Sequence, residues 1–368
     1  MVTIKEIAVE CGVSVATVSN VLNGRSNVGV ETRKRVLEAV RQKDYRPDYV
    51  ARGLRKKKTN IIGIVAEDIA QFTTPAIMEG AMAYCEEKNY RTMIQNLRLY
   101  ARWGESWYDN ESAYRSVVTA VMQEMLSIRV DGLLYIAGHA RNIKYFSNDM
   151  PIPTVMAYAY THSDYTPAVV IDDERAACEM TRYLISMGHR RIGVLGGREN
   201  NIHTGSRLRG YQKALFEENI LYNPGWVRYG NWERDSGYRL AGELAEEGVT
   251  AIFCMNDRMA GGVYDWFREK RIRVGEDISV AGFDNQELAQ YCSPGLTTMK
   301  LPLAEIGAEA AAILLERLET EGERMPKAAL ERNIPCTLIE RDSVKRVAIP
   351  ELSERDRENY EKTGGSDR

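Results

Sequence analysis

The stretch Thr3-Ile4-Lys5-Glu6-Ile7-Ala8-Val9-Glu10-Cys11-Gly12-Val13-Ser14-Val15-Ala16-Thr17-Val18-Ser19-Asn20-Val21-Leu22-Asn23-Gly24 decides the architecture of the chain's first part. Thr3 is placed to cap a short helix whose apolar positions are Ile4, Ile7 and Ala8. Glu6, three residues on, completes a capping box. Cys11-Gly12-Val13 predicts a tight turn, with glycine free to take a positive φ. Ser14 caps a second helix in which Val15, Val18, Val21 and Leu22 mark the buried stripe, and Asn23-Gly24 ends it. A third helix is predicted from about Glu31 to Lys43, with Val36, Leu37 and Val40 facing inward. Two short helices joined by a glycine turn and backed by a third make a helix-turn-helix.

Charge sets this segment apart. Residues 1–60 carry 13 Lys+Arg against 6 Asp+Glu, whereas the remainder carries 36 against 46, within a chain of net charge −3. A basic head on an acidic body is the electrostatic footprint of a polyanion binder, most often of nucleic acid. On charge alone, a solvated basic face is the other reading. The head has no Trp or Phe and only Tyr45 and Tyr49, so stacking on single strands is disfavoured and duplex DNA is favoured.

At 368 residues the chain is long enough for two or three domains of roughly 150 residues each. Hydrophobic residues at 44% and charged residues at 27% place the bulk among globular proteins and exclude disorder, collagen and disulfide scaffolds. Apolar runs such as Ile61–Ala66 fall far short of the ~20 residues of a membrane span, so no membrane partner is expected. The chain starts Met-Val-Thr-Ile-Lys-Glu, with no apolar leader. Six cysteines are scattered without a C-x-x-C pair, which argues against a zinc ribbon or redox motif and suits a reducing, cytoplasmic compartment.

After Thr59 the pattern alternates. Strands are predicted at Ile61–Ala66, Thr92–Gln95 and Gly132–Ile136, with helices at Pro75–Lys88 and Ser112–Ile128. The second half repeats this, with strands at Ile192–Leu195, Trp226–Tyr229, Ala251–Met255 and Ser279–Phe283. Its helices are Arg207–Glu218, Asp235–Glu246 and Arg258–Lys270. Such alternation implies doubly wound parallel sheets. Two sets imply two lobes with a ligand cleft at the carboxyl ends of their strands.

The head, together with Tyr45-Arg46-Pro47 and Val50-Ala51-Arg52-Gly53-Leu54, resembles the lactose-repressor (LacI/GalR) family of transcription regulators. The resemblance runs on from Ile61 to about Asp342. It implies that the second helix enters the major groove, with Val15 and Ala16 at its start and Asn20 one turn later reaching base edges. Family members often carry Arg or His at the Asn20 position. Asn pairs bidentately with adenine, so a different base is expected in the half-site. Thr17, Ser19, Asn23, Thr32 and Tyr45 look like phosphate contacts. Pro47 to Leu54 resembles the family's hinge helix, whose leucine, here Leu54 with Ala51 beside it, wedges the central base step in the minor groove. Asp48 stands where the family usually has Asn and adds negative charge there.

The same resemblance implies a periplasmic-binding-protein-like body with three crossovers between lobes, placed near Ile171, Gln286 and Thr320. The expected division is an all-α helix-turn-helix domain (1–46), a hinge helix and linker (47–58), a first lobe (59–171 plus 287–320), a second lobe (172–286 plus 321–343) and a disordered tail (344–368). The tail lacks the leucine heptads of a tetramerising coiled coil. Arg207 matches the family arginine that clamps an effector, Asp284 the aspartate that accepts from it, and Trp232 an aromatic against its ring. Asn256 and Asp257 follow a strand as in the family, and Asp172 at the first crossover is a further candidate. Two positions depart. Aromatics usual after the first strand are replaced by Thr73-Thr74, with Phe72 just before, and an aspartate of the first lobe's last strand by Ala157-Tyr158. Contacts to one end of an effector are therefore expected to differ. The longer segment 97–111 carries Tyr100, Trp103, Trp107 and Tyr108 and is placed either to roof the cleft or to enlarge a dimer contact.

Enzymatic readings find little support. Gly196-Gly197 after a strand is not G-x-G-x-x-G, and His139, His162, His189 and His203 form no metal spacing. His189 lies in a helix-to-strand turn that the resemblance marks as structural. No metal and no cofactor are expected. The expectation is a homodimeric, DNA-binding regulator, a repressor controlled by a small molecule between the lobes, with a sugar or sugar phosphate ahead of a nucleobase. The alternatives are a family member that answers to a protein corepressor and, from another class, a solute-binding receptor, which has no use for a basic head.

Overall fold

A computed structural model describes residues 2–22, 24–45, 58–104, 111–143, 145–146, 150–161, 163, 165–320 and 331–348. It divides into two compact units, residues 1–61 with 123–131, and residues 62–122 with 132–368.

In the first unit three helices, α1 (Ile4–Glu10), α2 (Val15–Leu22) and α3 (Val30–Gln42), enclose a small core. The capping box forms as the sequence dictates. The Thr3 amide donates to Glu6 Oε2 at 2.9 Å and the Glu6 amide to Thr3 Oγ1 at 3.4 Å. Gly12 turns the chain with φ +59°, and Ser14 Oγ accepts from the Thr17 amide at 3.1 Å. Ile7, Ala8, Cys11, Val18, Val21, Val36 and Ala39 are buried, with Val15, Leu22, Val40 and Tyr45 packed on them. Leu37 does not face inward, being 40% exposed. At 100° per residue Val36, Ala39 and Val40 share one face of α3, and Leu37 falls outside it.

The second unit is built on two six-stranded sheets. In chain order the elements after the head are β1 (Ile61–Ala66), α4 (Thr74–Glu87), β2 (Arg91–Asn96), α5 (Leu99–Trp103), α6 (Glu111–Ile128, whose last residues from 123 fall in the first unit), β3 (Gly132–Ile136), β4 (Asn142–Ile143), β5 (Thr154–Ala157), β6 (Tyr160–Thr161), β7 (Ala168–Ile171) and α7 (Asp173–Ser186). There follow β8 (Ile192–Gly196), α8 (Ile202–Glu217), β9 (Val227–Tyr229), α9 (Arg234–Glu246), β10 (Ala251–Cys254), α10 (Asp257–Glu269), β11 (Ser279–Asp284), α11 (Leu288–Tyr291), β12 (Thr297–Lys300), α12 (Leu303–Glu319), β13 (Glu331–Ile334) and β14 (Thr337–Ile339). The first sheet runs β13-β7-β5-β3-β1-β2 and the second β14-β12-β11-β10-β8-β9. The β1–β3 register sets Ile62 opposite Gly132 and the β10–β11 register sets Ala251 opposite Ser279, both parallel, whereas β14 runs antiparallel to β12. Strands β3, β5, β7, β8 and β10 are buried along their whole length, as expected of parallel strands covered by helices on both faces. Helices α4 and α12 approach so closely that a Cβ on Gly80 would stand 1.9 Å from the Ala304 carbonyl oxygen, and one on Gly307 1.9 Å from that of Ile77. Only glycine permits that approach.

Two crossovers lie downstream of the positions near Gln286 and Thr320. β12 remains in the second sheet beside β11, so the chain returns to the first lobe only between Lys300 and Leu303. β13 joins the edge of the first sheet at β7, and the last passage falls between Ile334 and Thr337. Thr297-Thr298-Met299-Lys300 is a short, half-polar strand with no apolar run to announce it. The first residues assigned to a disordered tail are packed: Val344 is 7% exposed and the Val347 amide donates to the Met187 carbonyl at 2.8 Å. All but the last residue of the expected hinge and linker 47–58, residues 105–110 and the tail beyond 348 lie outside the described residues. Among the described residues no helix is long and apolar enough to cross a membrane.

His189 is fully buried where α7 turns into β8. Its Nε2 donates to the Lys345 carbonyl at 3.2 Å and its Nδ1 lies 2.9 Å from Thr250 Oγ1. Burial pushes the imidazole pKa down to about 4. Between the unfolded value of ~6.5 and that value, the unfolded chain binds a proton that the native state refuses. Stability is therefore complete above pH 6.5 and falls as pH drops toward 4, by about 3 kcal/mol for this group. The melting temperature of the wild type should fall across that window more steeply than that of His189→Gln. Parallel pH profiles would contradict this.

Candidate functional site

On the head, Ala16 is exposed on α2, and Asn20 lies one turn further on the same face. Val15 has a double placement, half-buried at the start of α2 and packed against the core. The Thr17 hydroxyl is 2.9 Å from Ser14 Oγ, so it contributes to the cap of its own helix. Ser19 and Thr32 are half-buried. Tyr45 packs on the core, and its amide donates to the Val40 carbonyl at 3.0 Å. Asn23, Ala51 and Leu54 lie outside the described residues.

In the body, the carboxyl ends of the strands converge on Arg207. Helix α8 begins at Ile202, earlier than the pattern of apolar residues indicates. Its cap Asn201 uses Oδ1 to accept from the amides of His203 at 2.9 Å and Thr204 at 3.4 Å. That start places Arg207 in the second turn, 2% exposed. Its Nε donates to Asp173 Oδ1 at 2.7 Å, its Nη1 donates to the Met255 carbonyl, and its guanidinium carbon is 3.6 Å from the Phe283 ring centroid. Asp284 Oδ1 stands 4.0 Å from Nη1, and the Trp232 ring centroid 5.8 Å from the guanidinium carbon. His203 Nδ1 donates to Asp173 Oδ2 at 2.6 Å, while its Nε2 accepts the Ala140 amide of the first lobe at 3.3 Å. Tyr158, also of the first lobe, lies over His203 with centroids 5.5 Å apart.

The electrostatics follow from burial and from these partners. Burial alone raises the Asp173 carboxyl, but His203 and Arg207 beside it overcome that and hold it below the usual carboxylate range. For Asp284 burial prevails over Arg207 and pushes the carboxyl up to about 6. Tyr158, Trp232 and Asp284 all have positive φ, +62°, +73° and +108°. Non-glycine residues in such conformations cost roughly 1–3 kcal/mol each and cluster where surrounding structure fixes a functional geometry. Trp232 explains the second glycine of the Gly196-Gly197 pair: a Cβ on Gly197 would lie 2.0 Å from the indole.

Other expected positions take different places. Asp257 is fully buried, accepting the Thr298 hydroxyl at 2.6 Å and the Gln286 amide at 2.7 Å. Burial, with Asp284 nearby, pushes its carboxyl well up. One oxygen ties α10 to the β11–β12 turn through Gln286 and the other to β12 through Thr298. Asn256 caps α10, accepting from the Met259 amide at 2.9 Å, and donates to the Trp232 carbonyl at 2.8 Å, so it holds the indole. Thr73 is buried and donates to the Gly138 carbonyl at 2.8 Å, whereas Phe72 is 36% exposed. Asp172 caps α7 by accepting from the Arg175 amide at 3.1 Å; it lines a groove of about 730 Å³ with Tyr160, Arg209 and Asn333.

Asp173 and His203 were not singled out by the sequence. The signal for the first is the Asp172-Asp173 doublet directly after a buried strand. For the second it is a histidine in the first turn of a helix that follows a strand's carboxyl end. A further cluster lies in the first lobe. Buried Glu67 accepts from Tyr135 Oη at 2.8 Å and from the Gly138 amide at 3.2 Å, and pairs with Arg141 at 2.5 Å; Tyr114 and Tyr135 hydroxyls are 2.9 Å apart. Among the described residues no three His, Cys, Asp or Glu side chains are placed to hold a metal ion.

Comparison with known proteins agrees with both units. Residues 3–48 match the family model described as bacterial regulatory proteins, lacI family, and residues 181–344 match that of a periplasmic binding protein-like domain. Catabolite control protein A of Priestia megaterium is 32% identical over 87% of this chain and 93% of its own. The HTH-type transcriptional repressor PurR of Vibrio vulnificus is 31% identical over 94% of this chain and 100% of its own. The crystal structure of the lac repressor dimer bound to operator and the anti-inducer ONPF superposes with a TM-score of 0.73 at 25% identity, covering 94% of this chain and 99% of that one. The chain thus belongs to the LacI family of bacterial regulatory proteins and is a DNA-binding transcriptional repressor, not an enzyme, whose two-lobed body takes a small-molecule effector.

Proposed function

We propose that the effector is a neutral, hydroxylated ring of the sugar type, bound beside Arg207, Asp284 and His203 with Trp232 against its face. The observation that carries this is the 4.0 Å gap between Arg207 Nη1 and Asp284 Oδ1. A hydroxyl oxygen fits such a gap, accepting from the guanidinium while donating to the carboxylate. The charge of Arg207 is already met by Asp173 and approached by Asp284. A phosphate would add a dianion beside two carboxylates, so a sugar phosphate, admitted from the sequence alone, is disfavoured here. The protein acts in the cytoplasm as a homodimer on a symmetric operator, by analogy with the lac repressor dimer solved on its operator. Val15, Ala16 and Asn20 read bases, Thr17, Ser19, Asn23, Thr32 and Tyr45 contact phosphates, and Leu54 and Ala51 enter the minor groove.

Thermal shift of the full chain with neutral mono- and disaccharides, sugar phosphates, and nucleobases and nucleosides tests the effector class. A ligand at 100 times its dissociation constant stabilises by about 2.7 kcal/mol. The expected result is a rise with a neutral sugar that Asp284→Asn abolishes. A response confined to phosphorylated sugars or to nucleobases would overturn the reading.

A further inference from the structure

Helix α2 reads Val15-Ala16-Thr17-Val18-Ser19-Asn20-Val21-Leu22 and carries no charged residue. Val18 and Val21 are buried in the head, and Val15 and Leu22 pack on that core. The hydroxyls of Ser14 and Thr17 lie 2.9 Å apart and engage each other in the cap. Ala16 is left exposed in the first turn, a methyl group with no polar atom. Asn20 stands four residues on and is half-buried, and its carboxamide has no hydrogen-bond partner among the described residues. The basic side chains nearest in sequence lie elsewhere. Lys5 is on α1, and Arg25 follows the carboxyl end of α2. In a helix-turn-helix the amino-terminal residues of the second helix meet base edges, while the first helix crosses the phosphates. Guanine is read most often by Arg or Lys bonding its O6 and N7 together. Helix α2 offers neither. Asn reads adenine by a bidentate pair to N6 and N7, and an alanine methyl makes apolar contact with the C5-methyl of thymine.

We infer that α2 reads A·T pairs alone: Ala16 recognises a thymine by its methyl group, Asn20 recognises an adenine, and this helix specifies no guanine. Cβ atoms four residues apart on a helix are about 5–6 Å from each other, and base pairs rise by ~3.4 Å. The two contacts therefore fall at most about two base pairs apart in a half-site. Val15, held against the core, adds only the part of its side chain that the core leaves open. The inference rests on base contact by Val15, Ala16 and Asn20, as proposed above.

The test begins with full-length wild type, Ala16→Gly and Asn20→Ala, each of which selects its site from a pool of randomised duplex DNA. In the wild-type site each thymine is then replaced singly by deoxyuridine, which removes only the methyl, and each adenine by 7-deazaadenine, which removes only N7. Gel shift with the wild type should find a thymine whose replacement weakens binding about 3- to 5-fold, the size expected for one buried methyl. It should also find an adenine, at most about two base pairs away, whose replacement weakens binding about 5-fold or more. Ala16→Gly should bind the thymine and uracil duplexes equally within about 1.5-fold and keep its response at the adenine, and Asn20→Ala should do the reverse. Loss of response at one base with the other retained is a pattern that mere destabilisation of the head does not produce. Where Ala16→Gly does not fold, Ala16→Ser, which sets a hydroxyl at the methyl, takes its place. If both variants select the wild-type sequence, α2 reads no bases and the underlying reading fails. If they shift the sequence but the wild type selects G·C at the shifted positions, or tolerates every uracil, α2 reads bases and the A·T inference is overturned.

Discussion

Arg207→Ala will abolish the effector response and destabilise the body by about 3–5 kcal/mol, the usual cost of stripping one partner from a buried ion pair. The side chain is 2% exposed, bonds to Asp173 and to the Met255 carbonyl, and stacks on Phe283. Its removal leaves the Asp173 carboxylate with His203 and takes from the Asp284 carboxyl its strongest electrostatic partner. Asp284 responds by staying protonated to higher pH, since burial already pushes it up to about 6 with the arginine present. Protonation removes part of the cost of holding a buried charge without its partner. At about 2–4 °C per kcal/mol for a domain of this size, the melting temperature should drop by roughly 6–20 °C. Arg207→Lys keeps the charge but not the planar fork, so it should recover much of the stability and little of the effector binding. A melting temperature within about 1 °C of wild type for the alanine variant would show that the buried network is not held by this residue.

The network also shows what a sequence can and cannot disclose. The helix-turn-helix was legible because its determinants are local. A capping box spans four residues, and a positive-φ glycine and a 3.6-residue apolar stripe need no knowledge of the rest of the chain. The one inward position misplaced there, Leu37, is adjacent to a true core position, Val36, and differs from it by a single step of 100°. The alternation of strands and helices in the body was legible for the same reason. The crossovers were not, because which sheet a strand joins is a long-range fact. Thr297–Lys300 has no apolar run, and its place is set by pairing to Ala281–Asp284.

At the site, the family resemblance marked Arg207, Asp284 and Trp232 as candidates but did not separate Asp172 from Asp173 or Asn256 from Asp257. Each pair straddles a helix start, where one residue caps and the next points another way. Asp172 caps α7 while Asp173 meets Arg207 and His203; Asn256 caps α10 while Asp257 is sealed beneath the β11–β12 turn. His203 escaped notice because its significance lies in two partners, Asp173 thirty residues earlier and Ala140 in the other lobe. Neither is visible from the sequence around it.

Deleting residues 1–58 will remove specific operator binding altogether while leaving effector binding by the remaining chain within about 2-fold of the intact protein. Each unit has its own buried core, Ile7, Ala8, Val18, Val21, Val36 and Ala39 in the head and the strands of two sheets in the body. The groups around Arg207 all belong to the body, so their geometry does not depend on head residues. The charge separates in the same way, because 13 of the chain's 49 basic residues lie in the first 60 positions against 6 of its 52 acidic ones. What remains after truncation carries 36 basic and 46 acidic residues and repels a polyanion. Intact protein should lose roughly 10³–10⁵ in affinity between 50 and 200 mM salt if it makes six to ten phosphate contacts, because each displaced counterion contributes to the slope. Gel shift on the duplex selected by the intact protein, run across that salt range, measures both effects. A truncated chain that still retarded this duplex in preference to a shuffled one would place recognition in the body, and the basic head would then be no more than an electrostatic tether.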